Sequence, residues 1–120
     1  MSKRGQDGVE FTVGKTMLSG TPVLSPSSSL TFENCKEMRE AMELACEQNP
    51  SSVVLDCRAV AFMDSEALEL LVDIHEKLNA NRGQLRLVHL NEVCSDILTV
   101  SRLIHVLGVY GDLNQAVRGE

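Results

Sequence analysis

The fold of this chain is decided by Val53-Val54-Leu55-Asp56, by Phe62-Met63-Asp64-Ser65, and by the amphipathic run that continues to Leu78. The first segment is short, apolar and rich in β-branched residues, which predicts a buried strand. After the second segment, apolar residues recur at three- and four-residue steps, which predicts a helix that starts at about Ser65. One face of this helix is predicted to be apolar and the opposite face acidic: Leu68, Leu71, Val72, His75 and Leu78 against Glu66, Glu69, Asp73 and Glu76.

The sequence before this unit predicts short strands and one helix. Gly14-Lys15 is expected to be a turn between two strand-like pieces, and Pro26 marks a polar loop. Thr31 is the expected N-cap of the helix, and Asn49-Pro50 its stop. The predicted segments are strands at residues 9–13, 16–18 and 22–24, a loop at residues 25–29, and a helical stripe of Phe32, Cys35, Met38, Met42, Ala45 and Cys46 that ends near Gln48.

The sequence after this unit continues the alternation of strands and helices. Arg82-Gly83 is a helix terminator, with glycine at the position past the end, and Asn91 and Asp112 are expected N-caps. The predicted segments are a helix to Asn81, a strand at residues 84–89, a helix through Val93, Ile97, Leu98 and Leu103, a strand at residues 106–110, and a helical turn through Ala116 and Val117. This order predicts an α/β domain with a mostly parallel sheet and helices in βαβ crossovers. The opening strands add an antiparallel element, so the sheet is expected to be mixed.

Length and composition predict one globular domain. With 120 residues, of which 43% are apolar, the chain can bury a core without disulfides or metals. Residues 9–118 are expected to form the domain, and residues 1–8 a disordered tail. The net charge of −6 and the low aromatic content of 3% argue against nucleic acid as a partner.

The distribution of apolar residues and cysteines predicts a cytoplasmic protein. No apolar run is long enough to span a bilayer, and no apolar stretch follows Lys3 and Arg4 as a secretory signal requires, so no membrane insertion is expected. The four cysteines include no C-x-x-C pair and no metal-ligand spacing. Buried free thiols are therefore expected, with no metal and no cofactor.

No motif in the sequence predicts an enzyme. The chain has no G-x-S-x-G elbow, no G-x-x-x-x-G-K-[ST] loop and no G-x-G-x-x-G run. Asp56, at the end of a predicted strand, resembles the phosphorylated aspartate of a response-regulator receiver. That pattern also needs an acidic pair after the first strand and a late lysine, and no lysine follows Lys77. Asp56 is therefore expected to be a strand-end or turn residue.

Asp64 and Ser65 have two interpretations. An aspartate or serine before a helix is the ordinary N-cap, because its side-chain oxygen accepts a hydrogen bond from an otherwise unpaired backbone N–H. The same position also suits a phosphate, because free N–H groups and the positive end of the helix dipole point towards it. The residues alone leave open whether Ser65 is only a helix start or a switch site.

Several short motifs stand in a fixed order along nearly the whole chain. Three of these motifs resemble the strand, loop and D-S-S-G-L helix start of the STAS family, named for sulfate transporters and anti-sigma factor antagonists. They are the strand at Val53-Val54-Leu55-Asp56, the spacer at residues 57–61, and Phe62-Met63-Asp64-Ser65 with Leu68 behind it. The resemblance covers residues 9–117 and implies a single STAS-like domain. The other matching positions are Leu18-Ser19-Gly20, similar to the family's L-x-G at the end of its second strand, Gly83 before a strand, Leu107-Gly108, and Ala116 in the last helix.

The resemblance implies a switch protein. STAS proteins of this size are cytoplasmic anti-sigma factor antagonists. When unphosphorylated, they bind an anti-sigma factor, often a serine kinase of the histidine-kinase ATPase type, and so release the sigma factor. The kinase phosphorylates the serine after the helix-starting aspartate, and a phosphatase removes the phosphate. Carried over to this chain, that serine is Ser65, and we expect a monomer or weak dimer.

The surface expected to bind the partner surrounds Ser65. Phosphorylation adds about −1.5 to −2 charge where a small hydroxyl packs against the partner, which weakens the interface. Glu66-Ala67 stand where many members of the family have Ser-Gly, and Val23 stands where many have an aspartate near the serine, with Ser25 as a weak substitute. The residues expected to contact the partner are Asp64, Ser65, Glu66, Ala67, Glu69, Gly20 and Ser25.

Two other functions fit the same fold. The first is a STAS-type accessory subunit of an ATPase complex for lipid transport, in which Ser65 is only a cap and is not phosphorylated. The acidic face of the Ser65 helix favours a transient regulatory contact instead, because obligate interfaces are depleted of charge at their centres. The second is a ligand-binding or catalytic domain, but no phosphate-binding loop is identifiable in the sequence.

Overall fold

The computed structural model describes residues 10–48 and 50–120. In that part of the chain, five strands alternate with four α-helices, and a short 3₁₀ helix precedes the last strand. The tail expected at residues 1–8, the start of the domain at Val9, and Asn49 of the expected helix stop lie outside the described residues. The elements are β1 (Val13–Leu18), β2 (Thr21–Pro26), α1 (Cys35–Cys46), β3 (Ser52–Asp56), α2 (Ser65–Asn79), β4 (Gln84–Val88), α3 (Glu92–Val100), the 3₁₀ helix (Leu103–His105), β5 (Gly108–Tyr110) and α4 (Leu113–Arg118).

The strands form one mixed sheet in the order β1-β2-β3-β4-β5. β1 is antiparallel to β2, and every later pair of neighbours is parallel. The chain is therefore an α/β domain with a mostly parallel sheet, which confirms the predicted fold class. Because β2, β3 and β4 run in one direction, the loops that follow them meet at the same edge of the sheet, which we call the carboxyl edge.

Both faces of the sheet are covered by helices. Successive side chains of a strand point to opposite faces. Leu24 and Leu55 therefore pack with α1, α2 and α3, whereas Val23 and Val54 pack with Ala116 of α4. Searched over the described ranges, no helix has the length and hydropathy needed to cross a bilayer.

The buried stripe of α2 differs from the predicted one. Leu71 and Leu78 are buried as predicted, but Leu68, Val72 and His75 are only partly buried. α2 packs against α1 and β4, and Leu68 and Val72 line a groove on its other side. Apolar spacing alone does not distinguish the side of α2 that faces the core from the side that lines the groove. The predicted buried face was therefore wrong by about one residue along the helix. The buried residues of α2 are Ala67, Leu70, Leu71, Ile74 and Leu78.

The start of α1 lies three residues later than predicted. Thr31 is not the N-cap, because the helix begins at Cys35 after Asn34. The Asn34 side chain turns back into the preceding loop, where its amide donates to the carbonyl oxygen of Ser29 at 2.8 Å and its oxygen accepts from the Thr31 N–H at 3.0 Å. Phe32 therefore lies in a turn and is 65% exposed instead of joining the helical stripe.

The turn of the opening hairpin also lies elsewhere. β1 runs without a break through Gly14-Lys15, and Ser25 and Pro26 belong to β2 instead of a loop. The chain reverses at Ser19 and Gly20, whose φ angles are 52° and 80°. Two successive residues with positive φ suit the tight two-residue turns that join antiparallel strands.

The turn after α2 depends on Gly83, although for a different reason from the predicted one. α2 ends at Asn79, and the left-handed residue that follows it is Arg82, with φ of 64°. The Gly83 N–H donates to the carbonyl oxygen of Leu78 at 2.8 Å. A Cβ at Gly83 would overlap the carbonyl oxygen of Ser51. Glycine is needed here for close approach to the start of β3.

α3 and β5 are shorter than predicted because the chain changes direction after α3. Arg102 takes the left-handed conformation, with φ of 67°, which ends the helical run that the sequence extended to Leu103. The last strand begins at Gly108. Asn91 and Asp112 cap α3 and α4 as predicted, since their side chains accept backbone N–H groups at 2.7 and 2.8 Å.

Candidate functional site

The loop that leads into α2 is held from both sides at the carboxyl edge. Leu30 and Met63 form a parallel bridge between the β2–α1 loop and the β3–α2 loop. The Ser29 hydroxyl accepts hydrogen bonds from the backbone N–H groups of Ala61 and the next residue, both at 3.1 Å. From the β4–α3 side, the Asn91 amide donates to the carbonyl oxygen of Ala61 at 3.1 Å. The start of α2 is therefore held in position by hydrogen bonds to both neighbouring loops.

Asp64 ties this loop to the start of α2 and to the β2–α1 loop. Its Oδ1 accepts the Ala67 N–H at 3.0 Å, which is the N-cap hydrogen bond of α2. Its Oδ2 accepts the Phe32 N–H at 2.7 Å, across the carboxyl edge. Both carboxylate oxygens are thus engaged, which gives Asp64 a positioning role.

Ser65 is the first residue of α2, and its side chain is exposed. Within residues 10–48 and 50–120, its hydroxyl makes no hydrogen bond. The Asp64 side chain pairs with the Ala67 N–H, and within the described ranges the N–H groups of the two residues before it make no hydrogen bond. Such free N–H groups carry the positive end of the helix dipole. The hydroxyl is therefore open to a partner at a position that tolerates added negative charge.

The electrostatic surroundings of the helix start are acidic. Burial raises the pKa of the Cys35 thiol, and the carboxylates of Asp64 and Glu66 raise that pKa further. Glu66 and Glu69 are exposed on the same helix. A partner that docks here meets a hydroxyl beside carboxylates.

Apolar side chains surround the helix start as well. Phe32 and Phe62 are 65% and 46% exposed on the two loops that Asp64 connects. A groove with a volume of about 530 Å³ opens beside Ser65, between α2 and the segment from Ser101 to Leu103. Large exposed apolar side chains beside a groove are typical of a protein-binding surface.

The structure brings together most of the residues predicted for the site. Glu66 and Glu69 share the exposed side of α2 with Ser65, whereas the Ala67 side chain is fully buried. Ser25 is half-buried near the carboxyl end of β2, at the same edge of the sheet. Gly20 lies in the β1–β2 turn at the opposite edge. Contacts of these residues with a partner stay a prediction.

Sequence reasoning missed the apolar part of this surface. The sequence predicts Phe32 in the helical stripe of α1, and Leu68 and Val72 on the apolar face of α2. The available signal is that Phe62 stands in a loop, two residues before a helix cap and outside any apolar period. No such local signal identifies Leu68 and Val72, because the groove depends on where the chain after α3 packs.

Asp56 ends β3 and contacts the chain that follows β4. Its Oδ1 lies 2.9 Å from His89 Nδ1 and accepts the Arg58 N–H at 3.1 Å. His89 has a positive φ of 62°, so this contact holds an uncommon backbone conformation at the end of β4. The structure thus confirms Asp56 as a strand-end residue.

Among the described residues, no group of histidine, cysteine and acidic side chains has the arrangement of a metal site.

Comparisons with known proteins agree with this geometry. The family model of the STAS domain matches residues 15–116. Among solved structures, an anti-sigma factor antagonist from Mycobacterium paratuberculosis has a TM-score of 0.82 at 22% identity, covering 92% of this chain and 93% of that one. A STAS domain protein from Planctomyces limnophilus has a TM-score of 0.81 at 20% identity, covering 89% and 96%.

A third similar structure is the phosphorylated form of the Bacillus cell fate determinant SpoIIAA. Its TM-score is 0.67 at 17% identity, and the match covers 92% of this chain and 100% of that one. At these identities the likeness establishes the fold alone. No match was found among curated protein sequences.

Proposed function

Because this chain belongs to the STAS domain family, we propose that it is a cytoplasmic anti-sigma factor antagonist switched by phosphorylation of Ser65. In its unmodified form it binds an anti-sigma factor that is also a serine kinase of the histidine-kinase ATPase type, and so releases the sigma factor. Phosphorylation dissociates this complex, and a phosphatase restores the binding form. The chain itself carries out no catalysis.

The observation that carries the proposal is the position of the Ser65 hydroxyl. It is exposed, it makes no hydrogen bond within residues 10–48 and 50–120, and it is the first side chain of a helix whose cap is Asp64. A kinase can reach such a hydroxyl without unfolding any element. The loop before it is fixed by neighbouring loops, so the hydroxyl is presented in one place.

The effect of a phosphate differs between the domain and its complex. In the free domain, the unpaired N–H groups at the start of α2 favour a nearby anion by about 0.3–1 kcal/mol. In the complex, the phosphate would bring about −1.5 to −2 charges into a contact that fits a neutral hydroxyl. Phosphorylation is therefore expected to weaken binding and leave the fold intact.

Phosphorylation itself is tested by intact mass. The chain is incubated with ATP and candidate ATPase-type serine kinases from the source organism, and the expected product carries a single phosphate on Ser65. Ser65→Ala should stay unmodified, and Ser101→Ala, which removes another hydroxyl of the same groove, should be modified like the wild type. A phosphate on any other residue, or an unmodified chain in the presence of the active kinase, would overturn the proposal.

A second function is favoured by the exposed phenylalanines. Permanent interfaces are more apolar than transient ones, and Phe32 and Phe62 are 65% and 46% exposed at the carboxyl edge. A STAS-type accessory subunit of an ATPase transport complex would bury both. Stable co-purification with an ATPase that Ser65→Asp does not disturb would support this function over the switch.

A further inference from the structure

The groove beside Ser65 continues along α3 as an apolar trough. A second hollow of about 390 Å³ adjoins the first, and the two share Leu68 and Ser101. The side chain at the trough's edge, Val100, is 84% exposed, the largest exposure among the chain's large apolar residues within the described ranges. The apolar side chains of the trough are Leu68 and Val72 of α2, Ile97 and Val100 of α3, and Leu103.

Carboxylates border this trough on both helices. Glu69 and Asp73 lie on the α2 side and Asp96 on the α3 side. Asp73 is paired with Arg39 at 3.1 Å, whereas Glu69 and Asp96 form no ion pair within residues 10–48 and 50–120. Arg102, which follows Ser101 at one end of the trough, is a cation next to the lining. The rim is therefore negative along most of its length.

The length of the trough defines the kind of segment that fits it. Its α2 wall extends from Ser65 to Asp73, about 12 Å at a rise of about 1.5 Å per residue. That length accommodates about two turns of a helix laid along the trough, with apolar residues at i, i+3 or i+4, and i+7. Charge complementarity requires lysine or arginine beside these apolar residues, opposite Glu69 and Asp96.

We propose that this trough, formed by α2, α3 and the 3₁₀ helix, binds a basic amphipathic helix of a protein partner. The inference rests on the proposed function in that the partner is expected to be the one that docks at Ser65. It adds a second contact, which does not require an unmodified Ser65. The cations pair with carboxylates a turn or more away from Ser65, and a phosphate on Ser65 would not repel them.

The test uses a designed peptide as the probe. A fluorescent peptide of about 15 residues, with leucines at helical spacing and lysines at the remaining positions, is titrated with the full chain at low salt. Binding is measured by fluorescence anisotropy. We expect Val100→Ser and Asp96→Lys each to weaken the affinity by about tenfold or more, which corresponds to about 1.4 kcal/mol. Neither side chain lines the groove beside Ser65, so both variants should still be phosphorylated at a saturating concentration of the kinase, where the loss of the second contact no longer limits the reaction.

Matched controls separate the trough from general surface effects. Leu44 is 59% exposed on α1, and Glu47 is an exposed acid after it, so Leu44→Ser and Glu47→Lys should change the affinity less than about twofold. Ser65→Asp should also retain the peptide. A peptide in which glutamates replace the lysines should not bind.

Three outcomes would overturn the inference. The first is equal binding of the peptide by wild type, Val100→Ser and Asp96→Lys, and the second is equal binding of the glutamate peptide. The third is a wild-type dimer in sedimentation that Val100→Ser converts to a monomer, which would assign the trough to a second copy of the chain. None of them affects the phosphorylation of Ser65, so failure here is distinct from failure of the proposed function.

Discussion

The Asp64 carboxylate makes two structural hydrogen bonds, one with each oxygen. Its Oδ1 caps α2 through the Ala67 N–H, and its Oδ2 holds the Phe32 N–H of a different loop. Sequence reasoning could predict the first contact, because a cap depends on neighbouring residues only. The second contact joins residues that are far apart in the sequence, so no local sequence pattern predicts it.

Asp64→Ala is expected to destabilise the domain by about 1–2 kcal/mol for the cap, with a further loss because the Phe32 N–H is left without its acceptor. Asp64→Ser keeps a cap and loses only the contact with Phe32, so its cost should be smaller. Urea unfolding measures both. Asp112→Ala, which removes the cap of α4, is the matched control. Equal free energies of unfolding for wild type and Asp64→Ala would contradict this account of the helix start.

At the scale of elements, α2 shows which features of a helix its apolar periodicity predicts and which it does not. The pattern predicted the helix and its amphipathic character, and Leu71 is buried as predicted. It did not distinguish the side that packs on α1 and β4 from the side that lines the trough. α1 shows a different limit, because the Asn34 side chain bonds to Ser29 and delays the start of the helix. Both outcomes depend on contacts between elements.

The phase of α2 is tested by comparing neighbouring positions. Leu71→Ala should reduce the free energy of unfolding by about 2–5 kcal/mol, because it leaves a cavity in the core. Val72→Ala should cost less than about 1 kcal/mol, because Val72 already lines the open groove. Chemical denaturation of the two variants gives the comparison. Equal losses would mean that the buried stripe is misplaced.

The two turn glycines should respond differently to alanine. At Gly83 an added Cβ would overlap the Ser51 carbonyl oxygen, so Gly83→Ala is expected to cost about 3 kcal/mol or more. At Gly20 nothing lies within 4 Å, and only the φ of 80° is unfavourable, so Gly20→Ala should cost about 1–2 kcal/mol. Thermal unfolding ranks the two. A Gly20→Ala variant less stable than Gly83→Ala would show that backbone strain outweighs close packing here.

At the scale of the whole molecule, the sheet order explains why the candidate site lies where it does. β2, β3 and β4 are parallel, so the loops carrying Phe32, Asp64 and Asn91 meet at one edge, and Ser65 begins the helix after the second of these loops. The alternation of strands and helices predicted this arrangement, and the strand, loop and helix unit around Ser65 predicted the site. The trough was not predictable, because it forms only where the chain after Arg102 folds back beside α2.

The central claim is that an anion at Ser65 is tolerated by the domain and rejected by its partner. Ser65→Asp tests it most directly when the affinity for the kinase that modifies Ser65 and the melting temperature are measured on the same samples. Ser51→Asp, at an exposed position before β3 and at the opposite edge of the sheet, is the control. We predict that Ser65→Asp weakens kinase binding by about tenfold or more and shifts the melting temperature by less than about 2 °C. Undiminished kinase binding, or a large loss of stability without a loss of binding, would contradict the account.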